Sequence, residues 1–242
     1  MLKFFADESN DHDSSLFLAA GFLMTEPQAF SLEQDIKAIL GPLPYFHMRE
    51  GHAKQYPEIY SKLKKLIVRG RVLHAVAGSI REAEHKAILS HKVNDQMLSV
   101  WMGKPYTYLM GQTMRAATTA ADQLKFRNSV KIEYIFEQGH PNQGDAEFFW
   151  GQLRKDKFSE MAASYRYGGH RFVDGKGADG SILQLCDLFC WHVRKNLVAS
   201  EPLEILGREF RVPIYTDHHG AEDIVRSVKA GVDAWKRYGP GL

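Results

Sequence analysis

Residues 1–10, MLKFFADESN, read as a short apolar strand, Leu2 to Ala6, that stops abruptly at Asp7-Glu8-Ser9-Asn10. A strand that presents carboxylates at its carboxyl end can hold a divalent cation over a sheet, because Mg²⁺ and Mn²⁺ favour hard oxygen ligands. Two later acids are also carried by apolar elements. Glu137 follows the run Val130 to Phe136, and Asp187 lies within the apolar helical stretch Ile182 to Val193. Solubility does not explain acids placed in this way, since an isolated buried carboxylate is very costly. Side chains alternate along an extended chain, so Asp7 and Glu8 leave it on opposite sides. Asp7 is therefore the leading ligand, and Glu8 the secondary one. Ser9 and Asn10 have two readings, hydrogen bonding to a phosphate or forming a turn, and the turn is preferred.

Working outward, Leu16 to Met24 reads as a second strand, joined to the first by the turn-rich 10–15 segment as a hairpin. Thr25-Glu26-Pro27 has the signature of a helix start. The apolar positions Phe30, Leu32, Ile36, Ile39 and Leu40 then follow a helical period up to Gly41-Pro42. An extended piece, Tyr45 to Met48, precedes a helix over Pro57 to Val68 and a strand over Arg71 to Ile80. Residues 81–124 are mostly helical, broken at Gly103-Lys104-Pro105, with a second interruption expected at Gly111. Strands over Val130 to Phe136, Tyr165 to Val173 and Val212 to Tyr215 alternate with helices over Asp145 to Lys155, Ser181 to Val198 and Gly220 to Arg237. A meander followed by alternating strands and helices predicts an α/β fold: a mixed sheet flanked by helices, in one domain over 1–242 with a helical insertion around 82–127.

The bulk numbers exclude several classes. With 44% hydrophobic and 25% charged residues, the chain is not disordered. Its net charge of +2, from 31 basic and 29 acidic residues, neither demands nor excludes nucleic acid. No apolar run reaches the roughly 20 residues of a membrane span, and no signal-peptide pattern opens the chain. Cys186 and Cys190 share a helical face at a spacing that does not suit a disulfide, so they read as small buried residues of a soluble cytoplasmic protein. There is no glycine-rich phosphate loop, no dinucleotide fingerprint and no nucleophile elbow.

Two divalent ions roughly 4 Å apart can activate water and stabilise both the entering and leaving oxygens of a phosphoryl transfer. Asp7, Glu137 and Asp187, from three distant elements, are the carboxylates suited to hold them. Gln184 lies one turn before Asp187 on the same helical face, placed to orient that ligand or to bond substrate. His47, Glu50 and His52 form a polar patch that can ligate metal or serve in acid–base steps, with a plain polar loop preferred. Asp217-His218-His219 is a further patch, with Asp217 read as a helix cap. Lys62, Lys64, Lys65, Arg69 and Arg71, with Arg166, Arg171 and Lys176, offer a phosphate-attracting surface or a solvated one. Tyr106, Tyr108, Tyr165 and Tyr167 offer base stacking or core packing, with packing preferred.

With Asp7-Glu8-Ser9 and Gln184-Leu185-Cys186-Asp187 in view, the chain resembles domain-of-unknown-function family 3800, a group similar to ribonuclease H-like proteins. The likeness extends over nearly the whole chain, with Asn10 where many members have Gly. It implies sheet-end carboxylates that bind Mg²⁺ or Mn²⁺, and a nuclease hydrolysing phosphodiester bonds in nucleic acid. Asp7 and Asp187 match by motif, and Glu137 by its place at a strand end. The alternative is a non-catalytic nucleic-acid or nucleotide binding module of the same fold.

Overall fold

The first two strands, β1 (Leu2–Asp11) and β2 (Leu16–Thr25), form the expected hairpin, but β1 outruns its apolar stretch. The computed structural model describes residues 1–11, 15–48, 51–68, 72–89, 104–177, 180–199 and 214–218. Asp7, Glu8, Ser9 and Asn10 stay in the strand, opposite Ala20, Ala19, Leu18 and Phe17. The turn expected at Ser9-Asn10 is thus corrected. The continuous apolar β2 offers a partner for every residue, and ladder pairing outweighs local turn preference.

Helix α1 (Glu26–Leu40) begins with a capping box. Gln28 donates its amide N–H to the Thr25 hydroxyl (3.4 Å), and Thr25 donates its own N–H to Gln28 Oε1 (2.9 Å). It buries Ala29, Leu32, Ile36 and Leu40, whereas Phe30, expected on that stripe, is 65% exposed. Then come α2 (His52–Gln55), α3 (Pro57–Val68), β3 (His74–Arg81), α4 (Glu82–Leu89) and α5 (Pro105–Gln123). The last of these runs unbroken through Gly111, which is buried in its packed face. The chain continues through β4 (Ile132–Glu137), α6 (Gln143–Gly151), α7 (Ser159–Ser164), β5 (Tyr167–Val173), α8 (Ser181–Ala199) and β6 (Ile214–His218). Glu137 is therefore the last residue of its strand. Asp217 lies in β6, opposite Gly78. The helix expected over 220–237, together with Glu50, Arg69, Arg71 and His219, lies outside the described residues.

The described strands make one six-stranded mixed sheet in the order β5-β4-β1-β2-β3-β6. β2 runs antiparallel to both of its neighbours, and the other pairings are parallel. Helices cover both faces. Leu32, Ile36, Leu63, Ile182, Leu185 and Phe189 pack with Phe5, Phe22 and Ile135 on one side. Met114, Ala117 and Trp150 pack with Phe4, Val76 and Tyr134 on the other. No described helix is long and apolar enough to cross a membrane.

Two close approaches position the centre of the sheet. Gly21, opposite Ala6, has no room for a side chain: a Cβ there would fall 1.9 Å from the Phe5 carbonyl oxygen. On α8, Cys186 and Cys190 are free buried thiols whose S–H groups donate to the Phe5 carbonyl (3.4 Å) and the Asp7 carbonyl (3.2 Å). Small side chains at these positions let the helix settle directly onto β1, and both are buried, as expected from the sequence.

Arg166, offered above as a surface cation, is buried. Its guanidinium pairs with Asp122 and donates to the carbonyls of Phe126 (2.9 Å) and Arg127 (2.6 Å) and to Asn128 Oδ1 (3.0 Å). The Arg166 carbonyl in turn accepts from Ile132, where β4 begins. Arg166→Met leaves these acceptors unsatisfied and is expected to cost about 2–5 kcal/mol in urea unfolding. An unchanged midpoint would show that the network contributes nothing.

Candidate functional site

Parallel pairing sets Ala6 opposite Phe136, so the next residues, Asp7 and Glu137, emerge side by side where that pairing stops. Alternation sends both toward α8, in step with Phe5 and Ile135. Their carboxyl groups lie close enough to share a hydrogen bond, and Asp187 on α8 is near enough for its charge to act on Asp7. The three acids singled out from the sequence are thus brought together. Glu8 points to the other face, in step with Phe4 and Ala6, yet its carboxyl still interacts with those of Asp7 and Glu137. Ser9 follows in the strand, and Asn10 continues it by backbone pairing with Phe17.

Gathering like charges under an apolar helix raises their proton affinity. Burial pushes the Asp7 carboxyl well above the usual carboxylate range, and the charges of Glu8, Glu137 and Asp187 push it further. Burial, helped by Glu137, raises Glu8 to about 8. Burial also raises Asp187, against the opposing pull of His47 and the Met48 amide. Asp187 Oδ2 accepts the Met48 N–H at 2.7 Å and lies 3.9 Å from His47 Nδ1.

Gln184 lines the cleft beside Asp187, and both ends of its amide are engaged by backbone. Its Oε1 accepts the Phe46 N–H (2.8 Å), and its Nε2 donates to the Gly175 carbonyl (3.1 Å). One buried amide therefore fastens two separate segments to α8. Between them lies a cleft lined by Tyr45, His47, Glu137, Gly175, Lys176 and Asp187. Gly175 lies against the Glu137 carboxyl: a Cβ there would fall 2.2 Å from Glu137 Oε1 and would displace that carboxyl group. His52 also braces a wall: its Nδ1 accepts the His47 N–H (3.2 Å), and its ring packs among Tyr45, Phe46 and Tyr56. Glu50 lies outside the described residues.

On the Glu8 side, Tyr106 at the start of α5 stacks on His140 with ring centroids 3.8 Å apart. Burial and the nearby charges of Glu8, Asp7 and Glu137 raise its phenol. In the sequence Tyr106 reads as packing, and His140 carries no distinguishing mark. Nothing local marks a stack between residues 34 positions apart, so no signal was there to find. Tyr108 is core, and Tyr167 is bonded to His170 Nδ1 (2.6 Å), both as packing predicts.

The donor set suits Mg²⁺ or Mn²⁺: carboxylate oxygens, crowded and partly buried, whose mutual repulsion a divalent cation relieves. Among the described residues, no three His, Cys, Asp or Glu side chains are arranged to enclose an ion. The acids are gathered without being closed around one point.

Because the folded chain keeps protons that the unfolded chain releases, these acids lower stability as pH rises. For Glu8 the loss runs from its ordinary value of 4.5 up to about 8. The melting temperature of the metal-free protein is expected to fall across that interval, and Mn²⁺ to restore it most at the alkaline end. A melting temperature that climbs with pH would contradict the clustering. Gln184→Leu, which strands the Phe46 amide and the Gly175 carbonyl, is expected to cost about 2–4 kcal/mol in urea unfolding. Gln184→Glu keeps the first bond but sets a carboxylate against the Gly175 carbonyl and the neighbouring acids, and should lose at least as much.

Comparison with protein-family models, curated proteins and solved structures finds no match to this chain.

Proposed function

We propose that the protein is a divalent-metal-dependent nuclease of ribonuclease H-like type, akin to domain-of-unknown-function family 3800. The observation that carries this reading is the meeting of Asp7, Glu137 and Asp187, from two neighbouring parallel strands and the helix above them. Asp7, Glu137 and Asp187 would hold the Mg²⁺ or Mn²⁺, with Glu8 contributing from the other side of β1. The ion would supply the positive charge that favours attack on a phosphodiester.

The chain's own groups do the rest. The apolar cover of α8 lowers the local dielectric, which strengthens every charge interaction at the carboxylates. Met48 N–H fixes one oxygen of Asp187 and so leaves the other directed by the helix. His47 stands 3.9 Å from Asp187 and lines the cleft beside it. Gln184 and Gly175 hold the cleft walls at their separation.

Asp7→Asn and Asp187→Asn each keep the side-chain volume and remove a ligand charge. Both are expected to abolish Mg²⁺-dependent cleavage of labelled oligonucleotides while leaving the circular dichroism spectrum unchanged. Full activity in both variants would sink the nuclease reading. The open arrangement of the carboxylates favours one second reading, a non-catalytic nucleic-acid or nucleotide binding module. Calorimetric titration with Mn²⁺ separates the two, since absence of binding leaves only the module.

A further inference from the structure

An acidic floor repels a polyanion, so a nucleic acid that reaches the carboxylates needs positive contacts along its path. Two of the arginines are committed elsewhere: Arg166 to Asp122 and the carbonyls around 126–128, and Arg171 to Glu133. Lys64 on α3 and Lys195 on α8 form no ion pair among the described residues. The helices that carry them pack against each other beside the cleft.

On α8, Asp187, Trp191 and Lys195 stand four residues apart and share one stripe, which leads about 12 Å along the axis away from the site. The Lys195 ammonium lies 5.4 Å from the centroid of the Trp191 ring. On α3, Lys64 follows Tyr60 by one turn. The Tyr60 hydroxyl and His192 Nε2 are 2.8 Å apart, and the two rings are 14° from parallel. This contact joins the helices and brings Lys64 and Lys195 near one imidazole. Burial lowers the His192 ring, and both ammonium charges lower it further, to about 4. Among the described residues no carboxylate acts on that ring, so the two positive charges there go unopposed. The seam is continuous with the cleft wall. Phe46 stacks on Tyr60 with centroids 6.4 Å apart, Gln184 holds the Phe46 N–H, and the next residue, His47, lines the cleft.

Resting on the nuclease reading above, we propose that the seam between α3 and α8 carries the phosphate backbone of a nucleic-acid strand beyond the carboxylates, through Lys64 and Lys195. Two ammonium groups drawn together without an acid repel each other, and phosphates placed beside them relieve that repulsion. Trp191, half-buried on the stripe between Asp187 and Lys195, gives a base an aromatic surface along the same path.

The test is fluorescence anisotropy with a labelled single-stranded oligonucleotide of about 16 nucleotides, in Ca²⁺ to suppress turnover, across a salt series. Each phosphate contact removed lowers the log–log salt slope for a single strand by about 0.7. The double variant Lys64→Gln, Lys195→Gln is expected to lower the slope by about 1.4 and to bind roughly ten- to thirtyfold more weakly. Arginine at both positions should restore slope and affinity. Mn²⁺ affinity and melting temperature should match wild type in the double glutamine variant. Equal oligonucleotide affinity and slope in that variant and wild type overturns this inference alone. Weaker binding at an unchanged slope also overturns it, since no phosphate contact was lost. Loss of Mn²⁺ binding in the variant overturns it too, by showing a structural role. A wild-type protein that binds Mn²⁺ but no oligonucleotide overturns the nucleic-acid reading and this inference with it.

Discussion

A strand register is the constraint from which the site follows. Once Ala6 lies opposite Phe136, Asp7 and Glu137 have no choice but to emerge together, and alternation aims both at the same helix. Their repulsion is a standing cost that the surrounding core must offset. It does so with an apolar layer that includes Phe5, Phe22, Ile135, Leu185 and Phe189. A slip of one residue would turn one acid to the other face and end the crowding. The arrangement holds because this buried apolar layer locks the register, at roughly 25 cal/mol per Å² removed from water.

Helix α8 then organises everything above the sheet. Its cysteines sit down on β1, and its Gln184 and Asp187 reach in another direction to take backbone amides from the 46–48 segment. The same Gln184 holds the 174–177 loop. One helix thus sets the height of a carboxylate and the spacing of both cleft walls. The site is accordingly stiff at its floor and depends on two side-chain amide bonds at its sides.

Much of the fold was legible in the sequence because burial leaves a periodic trace. Apolar runs gave the strands, and the Thr25 start gave α1. Asp7, Glu137 and Asp187 could be singled out because each breaks an apolar pattern. The extension of β1 through Ser9 and Asn10 was not legible, since it depends on a partner strand and not on local preference. Arg166 shows only its charge in the sequence; its burial comes from carbonyls that converge from a distant loop. Gln184 was noticed for its place beside Asp187, but its two partners lie 138 and 9 positions away. Long-range contacts of this kind leave no spacing to read.

Gly21 bears on this site although it carries no functional group and sits on a strand with no site acid. The Phe5 carbonyl occupies the place its side chain would take, one residue before Ala6 and two before Asp7. A methyl group added there must push the backbone of β1, and the Asp7 carboxyl moves with it. Ligand spacing is therefore governed from outside the ligand set. Alanine at position 21 would give a mis-spaced protein that keeps every acid, a control that separates the presence of carboxylates from their alignment.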